Sequence, residues 1–203
     1  MQWFSSDHHF GHANILEYCG RPYDNVQDMN EDLVDRWNSR IKPNDSVYVI
    51  GDLCLGKLSR SLEYVKYLNG VITLIIGNHD KPFRTLGDKR ERCIQFYLDA
   101  GIQSVIDGPI NIFIDKYNVT LCHFPYKGDS QEGDRFSEYR PKGNNILLHG
   151  HTHGKWRTNK RMIDIGVDSW GGFPVSKDEI IKLIKEDNWD LPPLIWREKK
   201  YYV

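Results

Sequence analysis

The stretch VITLIIGNHD, residues 71–80, decides the fold. Its first six residues are apolar or β-branched without a polar interruption. A strand with one wet face would alternate, so an unbroken run of this length reads as a strand covered on both faces, as in the parallel sheets of α/β proteins. The run then stops at Gly77 and delivers Asn78, His79 and Asp80, three side chains of ligand type, at the carboxyl end of the strand. That is where open α/β sheets place what they bind.

The neighbouring segments extend this reading in both directions. Upstream, VQDMNEDLVDRWNSRI (26–41) sets Val26, Met29, Leu33, Val34 and Trp37 at helical spacing, and NDSVYVIGD (44–52) is a strand leaving a Pro-Asn-Asp turn. LSRSLEYVKYLNG (58–70) is an amphipathic helix stopped by Asn-Gly. Downstream, RCIQFYLDAG (92–101) is a short helix, and then the pattern becomes β in IQSVID, NIFID, NVTLCHF, NILLHGHTH and RMIDIGVD. SKDEIIKLIKEDN (176–188) closes the pattern as a helix, with Ser176 and Glu179 forming a capping box. A β-α-β start followed by a series of strands predicts a layered α/β architecture with two stacked sheets. With no repeat and no interdomain linker, residues 1–203 read as one domain.

Composition removes several function classes. With 39% hydrophobic and 27% charged residues the chain is neither disordered nor fibrous. It has no apolar run of about 18 residues, and MQWFSSDHHF lacks the basic start and apolar centre of a signal peptide. A cytoplasmic location without membrane contact is the expectation. Cys19, Cys54, Cys93 and Cys122 stand far apart, which suits free thiols better than a zinc knuckle or a disulfide framework. Because 27 basic residues face 28 acidic ones, any attraction to phosphate must be local.

The histidines supply the chemistry. All eight fall in four short motifs: SSDHHFGH (5–12), GNHD (77–80), CHFP (122–125) and HGHTH (149–153). In an extended segment alternate side chains share a face, so Asp7 and His9 point one way and His8 the other, and His151 and His153 repeat the logic. His149 shares that periodicity, so spacing alone does not exclude it. Together with Asp52 after the strand VYVI, five segments offer Asp7, His9, Asp52, Asn78, His123, His151 and His153. One tetrahedral zinc uses fewer ligands; two ions sharing a carboxylate use them all. Mixed oxygen and imidazole donors suit Mn²⁺ first, with Fe, Zn²⁺ or Ni²⁺ as alternatives, over Mg²⁺. A pair of ions about 3.5 to 4 Å apart acidifies a shared water and clamps the oxygens of an in-line phosphoryl displacement.

The ordered set D-x-H, G-D, G-N-H-D, a lone His after a strand, and G-H-x-H resembles the calcineurin-like metallophosphoesterases. The resemblance spans residues 5 to 153, and DIGVDSWGGFPVSKDEI (164–180) is similar to the C-terminal part of small bacterial and phage members. It implies a four-layer α/β/β/α sandwich with two stacked mixed sheets. It places one ion on Asp7, His9, Asp52 and His153 and the other on Asp52, Asn78, His123 and His151. His79 would serve the leaving group as proton donor or transition-state stabiliser, with Asp80 orienting it. The implied reaction is hydrolysis of a phosphodiester, nucleotide or nucleic-acid derived, by a metal-bridging hydroxide. A phosphomonoesterase using the same centre and a non-catalytic metal-binding module are the alternatives.

Substrate recognition is less determined. GKWRTNKR (154–161) is basic with one aromatic residue, so Trp156 and Arg157 could stack on a base and hold a phosphate; equally, the segment could be a solvated hairpin tip. His12 reads either as a substrate contact or as a hydrogen-bonded loop residue. PYKGDSQEGDRFSEYRPKGN (125–144) exceeds ordinary loop length and is either a lid or a solvated connection. The aromatic tail from Asn188 onward either covers a sheet or makes a dimer contact, leaving monomer and homodimer both open.

Overall fold

The computed structural model describes residues 1–133 and 135–196. In chain order its strands are β1 (Gln2–Ser5), β2 (Ser46–Ile50), β3 (Val71–Ile75), β4 (Ser104–Ile106), β5 (Ile110–Ile114) and β6 (Tyr117–Leu121). They continue with β7 (Ile146–His149), β8 (Thr158–Asn159), β9 (Met162–Asp164), β10 (Val175–Ser176) and β11 (Asp190–Leu191). The helices are α1 (Ile15–Cys19), α2 (Val26–Arg40), α3 (Leu58–Ser61), α4 (Gly87–Asp99) and α5 (Lys177–Glu186).

Two mixed sheets form. The first has the order β10-β1-β2-β3-β4, parallel except for the antiparallel edge strand β10. The second has the order β11-β8-β9-β7-β6-β5, with β6, β7 and β9 parallel. Alternation along the strands explains the unbroken apolar runs. Trp3, Val47, Val49, Ile72 and Leu74 pack on one side against Met29, Leu33 and Trp37 of α2 and Tyr97 of α4. Phe4, Ile50 and Ile75 point the other way and share a core with Ile114, Val119, Leu121, Leu148 and Ile163 of the second sheet. Ile180, Leu183 and Ile184 of α5 join this inter-sheet core, and α5 begins with the capping box read from the sequence.

The outer face of the second sheet differs from the expected helical fourth layer. Cys122, Leu147 and Met162 are covered there by Phe83, Tyr126, Phe136 and Trp156, which stand in loops and single turns. The segment at 58–70 also differs: α3 lasts four residues and tightens into a 3₁₀ turn over Leu62–Tyr67. Trp189 packs against the inter-sheet core and Trp196 against Tyr23 and the α2 side, so both serve packing; the tail beyond Trp196 lies outside the described residues. No helix among the described residues is long and apolar enough to cross a membrane.

Register is what assembles the site. Ser5 pairs with Val49 and Ile50 with Ile75, so the loops after β1, β2 and β3 emerge side by side. Asp7 N–H then donates to Gly51 O at 3.1 Å and His9 N–H to Asp52 O at 3.0 Å. Leu121 pairs with Leu148, which sets Gly150 N–H to donate to His123 O at 3.1 Å. Both sheets therefore deliver their polar strand ends to one place.

Candidate metal centre

The residues at those strand ends are held in bent backbone. Asp7, His9, Asp52, His151 and His153 have φ of 59°, 54°, 55°, 70° and 48°. They make up five of the nine non-glycine residues with positive φ among the described residues. Such strain costs of order 1–3 kcal/mol each and concentrates where function demands it. The backbone at these positions is thus not the extended chain that the alternation argument assumed. His8 still turns away from Asp7 and His9: its ring stacks on Phe10 at 5.4 Å and meets the edge of Trp37. Burial, with Arg21 nearby, pushes its pKa down to about 3, so it is a neutral core imidazole.

The seven ligand-type side chains converge. Asp52 Oδ2 lies 3.5 Å from His9 Nε2 and 3.4 Å from His123 Nε2. Asn78 Oδ1 lies 3.1 Å from His123 Nε2 and 2.9 Å from His151 Nδ1. One atom each of Asp7, His9 and His153 lie mutually within 4.8 Å, as do one each of Asp7, Asp52 and His123. Two glycines make room for this approach. A Cβ on Gly77 would clash with Asp52 Oδ1, and one on Gly150 with Asp7 Oδ2.

No family model matches the chain. It is 31% identical to the Gene 66 protein of Mycobacterium phage L5, over 90% of this chain and 93% of the phage protein. It is 33% identical to uncharacterized protein MJ1445 of Methanocaldococcus jannaschii, over 89% of each chain. The chain belongs to the family of these two proteins. The solved structure of AQ665, a protein of unknown function from Aquifex aeolicus, matches with a TM-score of 0.68 at 25% identity, over 90% of this chain and 98% of that one.

In this Gene 66 family member the donor set fits divalent cations. Asp52 Oδ2 and both ring nitrogens of His9 are buried without a hydrogen-bond partner. Orphaned polar atoms at this depth are costly, and a cation among them removes the cost. The electrostatics agree. Burial opposes the Asp52 charge, yet the imidazoles of His123 and His9 outweigh it and hold Asp52 well below its ordinary value. Burial also opposes the His123 imidazolium, but Asp52 and Asp7 lift its pKa to about 9. Asp7 is pushed up to about 6 by burial. Asp52 and His123 thus stabilise each other's charge, whereas burial pushes the pKa of His9 well down and that of His151 down to about 3.

Around the cluster lies a network the sequence reading missed. His153 Nδ1 is 2.9 Å from Asp168 Oδ2. Arg21 grips Asp168 with two N–H donors, each at 2.8 Å, and donates to the carbonyls of Asp7 at 2.7 Å and His8 at 2.9 Å. The same carboxylate–histidine arrangement orients ligands in many metal sites.

Above the cluster opens a cavity of about 420 Å³, lined in part by His9, His12, Asp52, His79, His151 and His153. The His79 ring stands 5.3 Å from that of His9, half-buried, and burial lowers its pKa. His12 lines the same wall, 5.5 Å from His9.

Three expectations need correction. Asp80 does not orient His79: its carboxylate accepts from the N–H groups of Asp52, Gly77 and Leu53 at 2.9, 2.8 and 3.2 Å and from the Tyr97 hydroxyl at 3.3 Å. Trp156 does not line the cavity, because it packs in the outer cluster against Gly128 and 6.2 Å from His149. Arg157 lies over Trp170, 5.4 Å from the ring centroid, and its backbone N–H donates to Leu191 O. The basic residues that do line the cavity are Lys155 and Arg135, the latter from the long loop.

Proposed function

We propose that the chain is a calcineurin-like metallophosphoesterase that hydrolyses phosphodiesters, nucleotide or nucleic-acid derived, with two divalent metal ions, Mn²⁺ being the best match to the donors. The observation that carries this reading is the convergence of Asp7, His9, Asp52, Asn78, His123, His151 and His153 around the unpartnered Asp52 Oδ2. Asp7, His9, Asp52 and His153 would hold one ion, and Asp52, Asn78, His123 and His151 the other. When bound, such a pair supplies a water acidic enough to attack at neutral pH and charge to neutralise the phosphoryl oxygens.

The chain's own residues supply the rest. Arg135 and Lys155 bring positive charge to the cavity wall, where a phosphoester enters. His79 faces the same space from the end of β3. It would serve the leaving oxygen as proton donor or as hydrogen-bond donor to the transition state. His12 lines the cavity and would be a further substrate contact.

The test is turnover of bis-p-nitrophenyl phosphate and p-nitrophenyl phosphate by Mn²⁺-loaded protein whose metal content has been measured. The proposal expects release of p-nitrophenol from both, faster from the diester. Two bound ions with neither substrate turned over would replace it with a metal-binding interaction module.

A further inference from the structure

Two of the three histidines of HGHTH, His151 and His153, have matching outer partners built in different ways. His153 is backed by Asp168 and Arg21, whose side chains are 4% and 0% exposed and which tie together the loops after β1 and β9. His151 directs Nδ1 at Asn78 Oδ1, 2.9 Å away, and its other nitrogen outward. That nitrogen, Nε2, is buried without a hydrogen-bond partner, and Asp129 Oδ1 faces it from 3.4 Å.

Asp129 belongs to the long loop at 125–144, yet its side chain is fully buried. Arg135, six residues on, pairs with the same carboxylate, and Gln131 N–H donates to it at 3.2 Å. Arg135 itself is 41% exposed and lines the cavity. The acid that Arg135 braces is thus turned inward to face His151. A carboxylate facing Nε2 favours the tautomer with the proton on that nitrogen, which leaves the Nδ1 lone pair free and more basic.

We propose that Asp129, braced by Arg135, is the positioning residue of His151, so that the half of the centre formed by Asp52, Asn78, His123 and His151 is completed only when Asp129 and Arg135 are docked beside it. This rests on the dinuclear reading above. The half containing His153 is preset by the buried Arg21–Asp168 pair. The two ions therefore bind with unequal affinity, and the weaker one is coupled to the loop.

Calorimetric titration of the full chain with Mn²⁺ tests this, comparing wild type with Asp129→Ala, Asp129→Asn and Asp168→Ala. Wild type should show two binding events. Asp129→Ala should weaken one of them by about 10- to 100-fold, the usual cost of losing an outer partner, and leave the other within about 2-fold. Asp129→Asn keeps an acceptor and should fall between. Asp168→Ala should weaken the opposite event. An independent readout needs no variant: trypsin cleavage after Arg135 should slow when wild-type protein is saturated with Mn²⁺. Two ions that bind Asp129→Ala as they bind wild type, or that weaken equally, would overturn the proposal and leave the dinuclear reading standing. A cleavage rate indifferent to Mn²⁺ would also overturn it. A wild-type chain that binds no Mn²⁺ would remove the dinuclear reading itself, and this proposal with it.

Discussion

Replacing Asp80 by alanine should unfold the site more than it slows the chemistry. The carboxylate collects four donors: the N–H groups of Asp52, Gly77 and Leu53, and the Tyr97 hydroxyl. Left buried and unpaired, each costs roughly 1–3 kcal/mol, or about 8 kcal/mol together at the middle of that range. Against this stands the cost of keeping the charge dry. Burial and the Asp52 charge raise the Asp80 pKa from 3.8 to about 7, which offsets part of that loss. Even at the low end of the range the four groups leave a loss of about 4 kcal/mol, a large share of the 5–15 kcal/mol that holds a typical domain together. For a chain of this size that lowers Tm by on the order of 8–16 °C. Thermal unfolding followed by circular dichroism measures it. A Tm within about 2 °C of wild type, accompanied by a fall in kcat alone, would refute the reasoning and return Asp80 to the role of orienting His79.

Other outcomes follow from the same geometry. Asp52→Asn should cut bound metal from about two equivalents toward one or none, with near-total loss of hydrolysis; metal analysis after dialysis checks it. His79→Ala should keep both ions and lower kcat; a loss confined to alkyl leaving groups would show proton donation, and an equal loss for p-nitrophenyl and alkyl leaving groups would show transition-state stabilisation instead. Mn²⁺ binding at pH 7 should release protons. In the metal-free chain His123 has its pKa raised to about 9 and His153 well above 6.5, so both carry protons that ligation must displace. Affinity should then rise with pH as His123 loses its proton near 9, and calorimetry in buffers of different ionisation enthalpy would detect the released protons. Lys155→Ala should raise KM for a nucleotide diester, whereas Arg157→Ala should leave it unchanged, because only Lys155 reaches the cavity.

Much of this was legible because the informative interactions are local or set by strand register. The run 71–76 reads as a strand because Ile72 and Leu74 feed one core and Ile75 the other. Gly-Asp, Gly-Asn-His-Asp and Gly-His-Thr-His come together because parallel pairing aligns the ends of β2 and β3, and of β6 and β7. What escaped the sequence is long-range. Arg21 and Asp168 are 147 positions apart, and nothing near either one announces the other. Asp129 looked like one more polar residue in a polar loop. Asp80 follows His79 directly, but its carboxylate turns toward the backbone of β2's loop while the His79 ring turns to the cavity. Trp156 and Arg157 failed for a different reason. A basic aromatic cluster says nothing about direction, and the turn after His153 leaves Lys155 on the cavity and carries the next two side chains to the protein's own aromatic clusters. The facing of Asp7 and His9 came out as expected although the backbone there is left-handed and not extended.

The central claim is that seven side chains from five strand ends hold two ions around Asp52. A crystal grown with Mn²⁺ and measured for anomalous scattering at the manganese edge tests it most directly. The account predicts two peaks about 3.5 to 4 Å apart, one on either side of the Asp52 carboxylate, the first beside His9 and His153 and the second beside Asn78, His123 and His151. A single peak, or peaks away from Asp52 in a protein saturated with metal, would contradict it.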